Sequence, residues 1–266
     1  RTSSAASDVY KRQLINNYLN RTIFMKNLFT LLAFCFAISS FTNAEEVSIE
    51  SDGSVAEFNY VSVTDPMTFM QSLDKFDKSK CAAKWREESG VNVSLWSLRG
   101  SGSSHFILVN YENWDMMEKG RAVFTTCPAA AMMLKSFQTS TDTDRSWNWV
   151  SENALSGRNW QSNTVFRKIN FKVDEGKADQ YATAWKKLVT AQLDNIPGSF
   201  GLNAIPYGNR YSSHMVYLGA NSMSELSEGF AKVTSSEDFA EFIKTTGDVR
   251  TVVNTELVQL VKNYDG

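Results

Sequence analysis

The chain has 266 residues and two histidines, the side chains best suited to carry a proton near neutral pH. Both stand in one short context that occurs twice, Ser103-Ser104-His105 and Ser212-Ser213-His214. As a catalytic group, His105 or His214 would act as a general base or contact a ligand. The competing reading is structural: a histidine at a strand end, hydrogen-bonded beside a turn and kept in both places by duplication. His105 shares strand parity with Ile107 and Val109, and His214 with Val216 and Leu218, aliphatics that suit a helix-covered core.

A second group of residues could line a small-molecule pocket. Ser94 and Trp96 share one face of a predicted strand, and Asn203 and Tyr207 share one face of its counterpart. Asn110 and Tyr217, on the next strands, have the parity opposite to the histidines. A few polar groups in an apolar lining is how such sites are built, although an ordinary sheet–sheet core has the same composition. Cys81 and Cys127 fall on predicted helices, and the matching positions of the second occurrence hold Thr190 and Ser236. One pair without nearby histidines lacks ligands for zinc, so the pair is read as a disulfide, with two buried thiols as the alternative.

Other chemistries lack their motifs. No glycine-rich loop precedes a helix to cradle phosphate, no G-x-S-x-G elbow occurs, and no histidine–carboxylate cluster has metal-ligand spacing. No cofactor and no metal is expected.

Positioning these residues requires two copies of one unit. The match that relates His105 to His214 runs on without a gap through Gly120/Gly229, Ala122/Ala231, Thr125/Thr234, Ala131/Ala240 and Lys135/Lys244. An offset this long exceeds any solenoid repeat and means a duplicated domain. In the first copy, Phe58 to Val63 alternates as a strand and Asp65-Pro66 opens a helix. Gly90 ends it, strands follow at 91–98 and 105–111, a helical region broken near Pro128 covers about 113–137, and a last strand spans 146–150. The second copy has strands at 166–173, 200–207, 214–218 and 254–262, with helices after the first and third. The polar stretch 153–163 reads as a linker between domains 45–152 and 164–266.

The order β-α-β-β-α-β is the ferredoxin-like split motif, which leaves one sheet face bare. Large bare apolar faces are rare on soluble monomers. The expected fold is therefore α+β: tandem ferredoxin-like domains packed sheet to sheet as an intramolecular, pseudo-dimeric α/β barrel. In this element order, in the Pro197-Gly198 turn before a strand and in the helix start Glu112-Asn113-Trp114, the chain resembles the dimeric α/β-barrel superfamily, in particular antibiotic-biosynthesis-monooxygenase-like domains in tandem. The resemblance implies a cavity between sheet and helices or inside the barrel. It also points to an asparagine on the first strand, as in the haem-degrading branch, where Asn59 and Asn170 occupy comparable positions. That branch's helix histidine is missing here, so its chemistry is not carried over.

Ahead of the first domain, Met25-Lys26-Asn27, the apolar run 28–38 and Thr42-Asn43-Ala44 read as a secretory signal peptide at 25–44. Cys35 lacks the preceding small residue of a lipoprotein site. Residues 1–24 read as a non-native or mis-called leader. Without residues 1–44, 22 basic side chains face 28 acidic ones, a net of −6, and no cationic run remains. Nucleic acid is thus an unexpected partner, and no later segment could span a membrane. The expectation is a periplasmic or secreted protein that binds a small molecule or a partner. The alternative is a cofactor-independent monooxygenase or isomerase acting on a small aromatic or apolar substrate.

Overall fold

The computed structural model describes residues 47–264, so the expected leader and signal segments lie outside the described residues. The first copy comprises β1 (Val55–Val63), α1 (Pro66–Asp77), α2 (Lys80–Ser89), β2 (Asn92–Arg99), β3 (His105–Tyr111), α3 (Trp114–Thr125), α4 (Pro128–Ser140) and β4 (Thr141–Gly157). The second comprises β5 (Val165–Val173), α5 (Ala178–Ala191), β6 (Phe200–Tyr207), β7 (His214–Ala220), α6 (Met223–Thr234), α7 (Glu237–Thr246) and β8 (Arg250–Tyr264).

Local signals set the helix limits. The Asp65 carboxylate accepts from the N–H groups of Met67 and Thr68, satisfying two of the unpaired donors that open α1. The Thr68 hydroxyl and those bonds hold its pKa below the ordinary carboxylate value. Gly90, with φ 59°, ends α2 in the left-handed conformation glycine tolerates. The helical stripe expected from Phe69 to Trp85 is two helices rather than one, because Ser79 caps a new start through the Ala82 N–H.

All eight strands belong to one closed barrel, in the order β1-β3-β2-β8-β5-β7-β6-β4. Each copy retains the split-motif arrangement, and the chain is a tandem ferredoxin-like α/β barrel. Closure depends on the last strands, which are much longer than expected, 17 residues in β4 and 15 in β8. The first part of β4 pairs with β1, and its end pairs with β6 through contacts such as Asn153 with Asn203. Likewise β8 pairs first with β5 and then with β2. The two sheets therefore meet edge to edge as well as face to face, leaving no open edge among the described strands.

This corrects the linker expected at 153–163. Residues 153–157 are the end of β4, and Trp160–Ser162 form a 3-10 turn. Between them Arg158, at φ 63°, donates from its guanidinium to the carbonyls of Leu193, Ile196 and Gly198 at 2.6–3.0 Å. The crossover is thereby bonded to the turn before β6.

Three apolar clusters follow from the strand alternation. One lies between the first copy's sheet and α1–α4, a second between the other sheet and α5–α7. The third fills the barrel and draws on both copies, with Phe58, Trp96 and Trp149 meeting Phe166, Met215 and Val258. The recurrent glycine has a packing role in each outer cluster. A Cβ on Gly120 would stand 2.5 Å from the Tyr111 ring, and one on Gly229 would stand 2.5 Å from Pro197.

Cys81 and Cys127 are joined as a disulfide, with Cα atoms 5.9 Å apart and a sequence separation of 46. The bond links the first turn of α2 to the N-cap of α4, clamping the helices over the first copy's sheet.

Candidate functional site

The first copy holds a partly open cavity of about 520 Å³ between its sheet and its helices. Ile107 and Val109 form its floor on β3, because alternate strand residues face the helical layer. Phe76 of α1, Trp85 of α2 and Phe124 of α3 form the roof. The Phe124 ring centroid lies 5.6 Å from that of Phe76 and 5.1 Å from that of Trp85. Asn59 of β1 and the partly exposed Trp147 of β4 also line the cavity.

The charged groups at this cavity come in pairs. Arg86 bonds Asp77 at 2.7 Å and also donates to its backbone carbonyl, and Arg121 pairs with Glu57. The lining therefore carries no net charge from these four side chains. Burial pushes the Tyr111 hydroxyl well above the ordinary phenol value, so it stays neutral.

In the second copy the corresponding layer is packed with rings. Phe171, Tyr181, Trp185 and Phe200 are buried there, with Phe171 and Tyr181 centroids 4.6 Å apart. Phe200, opposite Leu218, takes the place that the much smaller Val93, opposite Val109, holds in the first copy. Arg121 is likewise replaced by Phe230, over whose ring the Arg167 guanidinium lies at 3.7 Å. The duplicated architecture thus carries two different sheet–helix interiors.

Inside the barrel is a polar network that sequence reasoning missed. Lys168 and Glu256 are directly opposite on β5 and β8, and their Nζ and Oε2 atoms are 2.7 Å apart. The Tyr60 hydroxyl donates to Glu256 at 2.9 Å and also meets Lys168 Nζ. Asn170 accepts from Lys168 and donates to Asn254 at 2.8 Å, and Asn254 donates to Glu256 at 2.9 Å. The Lys168 ammonium lies 5.0–5.3 Å from the ring centroids of Phe58, Tyr60 and Trp149. Burial lowers the Lys168 pKa against the opposing pull of Glu256, and burial first, then Glu256, raises that of Tyr60. The available signal was parity: Lys168 alternates with Phe166 and Asn170, and Glu256 with Asn254 and Val258, on faces that point inward.

The residues expected to line a pocket divide. Trp96, Asn110, Asn203 and Tyr217 do come together, around a smaller space of about 80 Å³ inside the barrel. Ser94 shares the face of Trp96 but is fully buried and accepts from Trp96 Nε1 at 2.7 Å. Tyr207 is elsewhere, 63 % exposed, with its ring edge-on to Trp114. Between Asn203 and Tyr207 the register against β4 shifts by one residue, which turns Tyr207 onto the outer face opposite Val150.

Neither histidine lines these two spaces. His105 and His214 sit half-buried at the starts of β3 and β7, where burial lowers both pKa values. Each Nδ1 is 2.9 Å from the preceding serine hydroxyl, and that hydroxyl accepts from the Val63 or Val173 N–H at 2.9 Å. The serine backbone N–H groups bond Val61 and Phe171, and the serine carbonyls accept from Leu98 and Ile205. The repeated Ser-Ser-His thus joins three strands at one end of each sheet, a structural role that accounts for its recurrence without a reaction. Asn59 and Asn170 also part company, since Asn59 faces the helices and Asn170 the barrel.

Among the described residues, no group of three or more histidines, cysteines or carboxylates could hold a metal. Among them, too, no helix is long and apolar enough to cross a membrane.

No protein-family model matches the chain, and no curated protein matches its sequence. Solved structures do share its fold. A candidate monooxygenase from Lactobacillus acidophilus superposes at a TM-score of 0.52 with 13% identity, over 80% of this chain and 94% of that one. A second, from Fusobacterium nucleatum, gives 0.54 at 11%, over 79% and 93%. An anthrone oxidase-like protein gives 0.55 at 14%, over 81% and 95%. At these identities the likeness establishes the tandem dimeric α/β-barrel fold and nothing of the chemistry.

Proposed function

We propose that this protein binds a small, neutral, aromatic or apolar molecule between the sheet and helices of its first copy. The observation that carries the reading is the cavity of about 520 Å³, walled by aromatic and aliphatic side chains. Its size falls in the usual range for ligand sites, roughly 300–1,000 Å³. The pairing of Arg86 with Asp77 and of Arg121 with Glu57 disfavours a charged ligand, which would be buried without a free counter-charge. The test is a thermal-shift screen of naphthols and similar bicyclic aromatics, on the intact chain and on Ile107→Trp, which fills the floor. Binding should raise the melting temperature of the parent and not of the variant. Equal shifts in both would place the ligand elsewhere.

A second reading is a cofactor-independent monooxygenase. It is favoured by the fold likeness to candidate monooxygenases and an anthrone oxidase-like protein, and Asn59 is an uncharged polar side chain in the same cavity. Oxygen uptake with an anthrone as substrate, lost in Asn59→Ala, would support it. An isomerase would need a base, and Glu57 and Asp77 are the carboxylates in the lining.

We also propose that the mature protein acts in the periplasm or outside the cell. The apolar run at 28–38 motivates this, and the Cys81–Cys127 bond supports it, since disulfides persist in oxidising compartments. Loss of residues 25–44 from the exported product would be read by mass spectrometry.

A further inference from the structure

We infer that the end of the barrel interior is a second ligand site, separate from the sheet–helix cavity, for a small neutral aromatic molecule carrying one hydrogen-bond donor. The space has walls from both copies: Phe58, Trp96 and Phe106 from one, Phe166, Met215 and Tyr217 from the other. The segment before β1 borders it. Glu50 pairs with Ser156, the Ser51 hydroxyl donates to the Asn153 carbonyl at 2.6 Å, and Asp52 and Ser54 join the lining.

Two features define what fits. Asn203 is 9 % exposed and lines the space; its amide donates to Ser151 at 3.2 Å, while its Oδ1 has no partner. A buried acceptor without a donor forfeits its hydration and gains nothing in return, so a ligand N–H or O–H is what the site lacks. The second feature is charge. Lys168, which also lines the space, is already balanced by Glu256 at 2.7 Å, and a charged ligand would upset that pair. The rings supply flat apolar contact, and Asn203 Oδ1 supplies a directional acceptor that has no partner of its own.

Phenol and toluene have nearly the same shape and differ by the donor, which makes them the probes. Toluene is the more hydrophobic, so an unspecific apolar site would prefer it. Calorimetric titration of the intact chain should show phenol binding at least tenfold tighter than toluene. Asn203→Leu should remove that preference. Should the variant fold poorly, crystals of the parent soaked in 4-bromophenol give an independent answer. The bromine anomalous peak should lie inside the barrel beside Trp96 and Phe166. A peak only under the helices of the first copy, no peak inside the barrel, or toluene binding as well as phenol overturns the inference. A peak under the helices of the first copy would report on the larger cavity, which the naphthol screen and Ile107→Trp test separately, so the two readings can fail independently.

Discussion

Lys168 and Glu256 face each other across neighbouring strands with Nζ and Oε2 2.7 Å apart, both almost completely buried in the aromatic centre of the barrel. Taking two charges out of water costs several kcal/mol per ion, which the pair's attraction and its hydrogen bonds to Tyr60, Asn170 and Asn254 must offset. Removing one partner leaves the other charged and unpaired. Lys168→Met or Glu256→Leu alone should destabilise the protein by about 3–5 kcal/mol, and the double substitution should recover most of that loss. Urea unfolding of the three variants decides it. A double variant no better than either single one would mean that the network, not the charge balance, sets the cost.

The disulfide should contribute about 2–4 kcal/mol by restricting the unfolded chain across its sequence separation of 46. Because both copies share one closed barrel, its loss should lower a single unfolding transition, not split it. Scanning calorimetry of Cys81→Ala/Cys127→Ala checks both points, and two resolved transitions would contradict the shared barrel.

Barrel closure rests on the pairings of β4 with β6 and β2 with β8, each joining one copy to the other. Residues 45–158 and 159–266 expressed apart would each expose two unpaired edges and the inner aromatic face. Each half should associate or misfold alone, and mixing should restore a one-to-one complex in sedimentation. A stable, monomeric half would remove the basis for the pseudo-dimer.

His105 and His214 carry pKa values lowered by burial, whereas the unfolded chain titrates them near the ordinary value of about 6.5. Between the folded value and the ordinary one the unfolded state therefore binds more protons, and stability rises with pH through that window. Melting temperatures should fall as the pH drops from neutrality through the ordinary histidine value towards the lowered ones. His105→Gln/His214→Gln should flatten that part of the curve. An unchanged slope would assign the acid sensitivity to other groups.

Ser104 and Ser213 accept the Val63 and Val173 N–H groups while meeting the adjacent imidazoles. Alanine at either position should cost about 1–3 kcal/mol, since a partly buried donor loses its acceptor. Any ligand affinity at the two cavities should stay unchanged. A selective loss of binding at normal stability would return the histidine motif to the functional site.

Local and repeated features were legible in the residues alone. The recurrence of Ser-Ser-His and the glycine beyond it established two copies, the alternation of Val, Ile and aromatic residues established the strands, Asp65-Pro66 opened a helix, and Pro128 marked the break in another helical region. From those, the split motif and a barrel followed, because a bare apolar sheet face demands a cover. Even the approach of Cys81 to Cys127 follows from two helices lying on one sheet face. Everything that depends on pairing between distant strands came from the tertiary fold. A one-residue register shift turned Tyr207 out of the barrel, and the overlong β4 consumed the expected linker. The partnership of Lys168 with Glu256, far apart in the chain, exists only because β5 and β8 are neighbours with that register. Periodicity tells a side chain which face it shares with its neighbours. It does not say which strand lies alongside, and a site is made of side chains from strands that lie alongside.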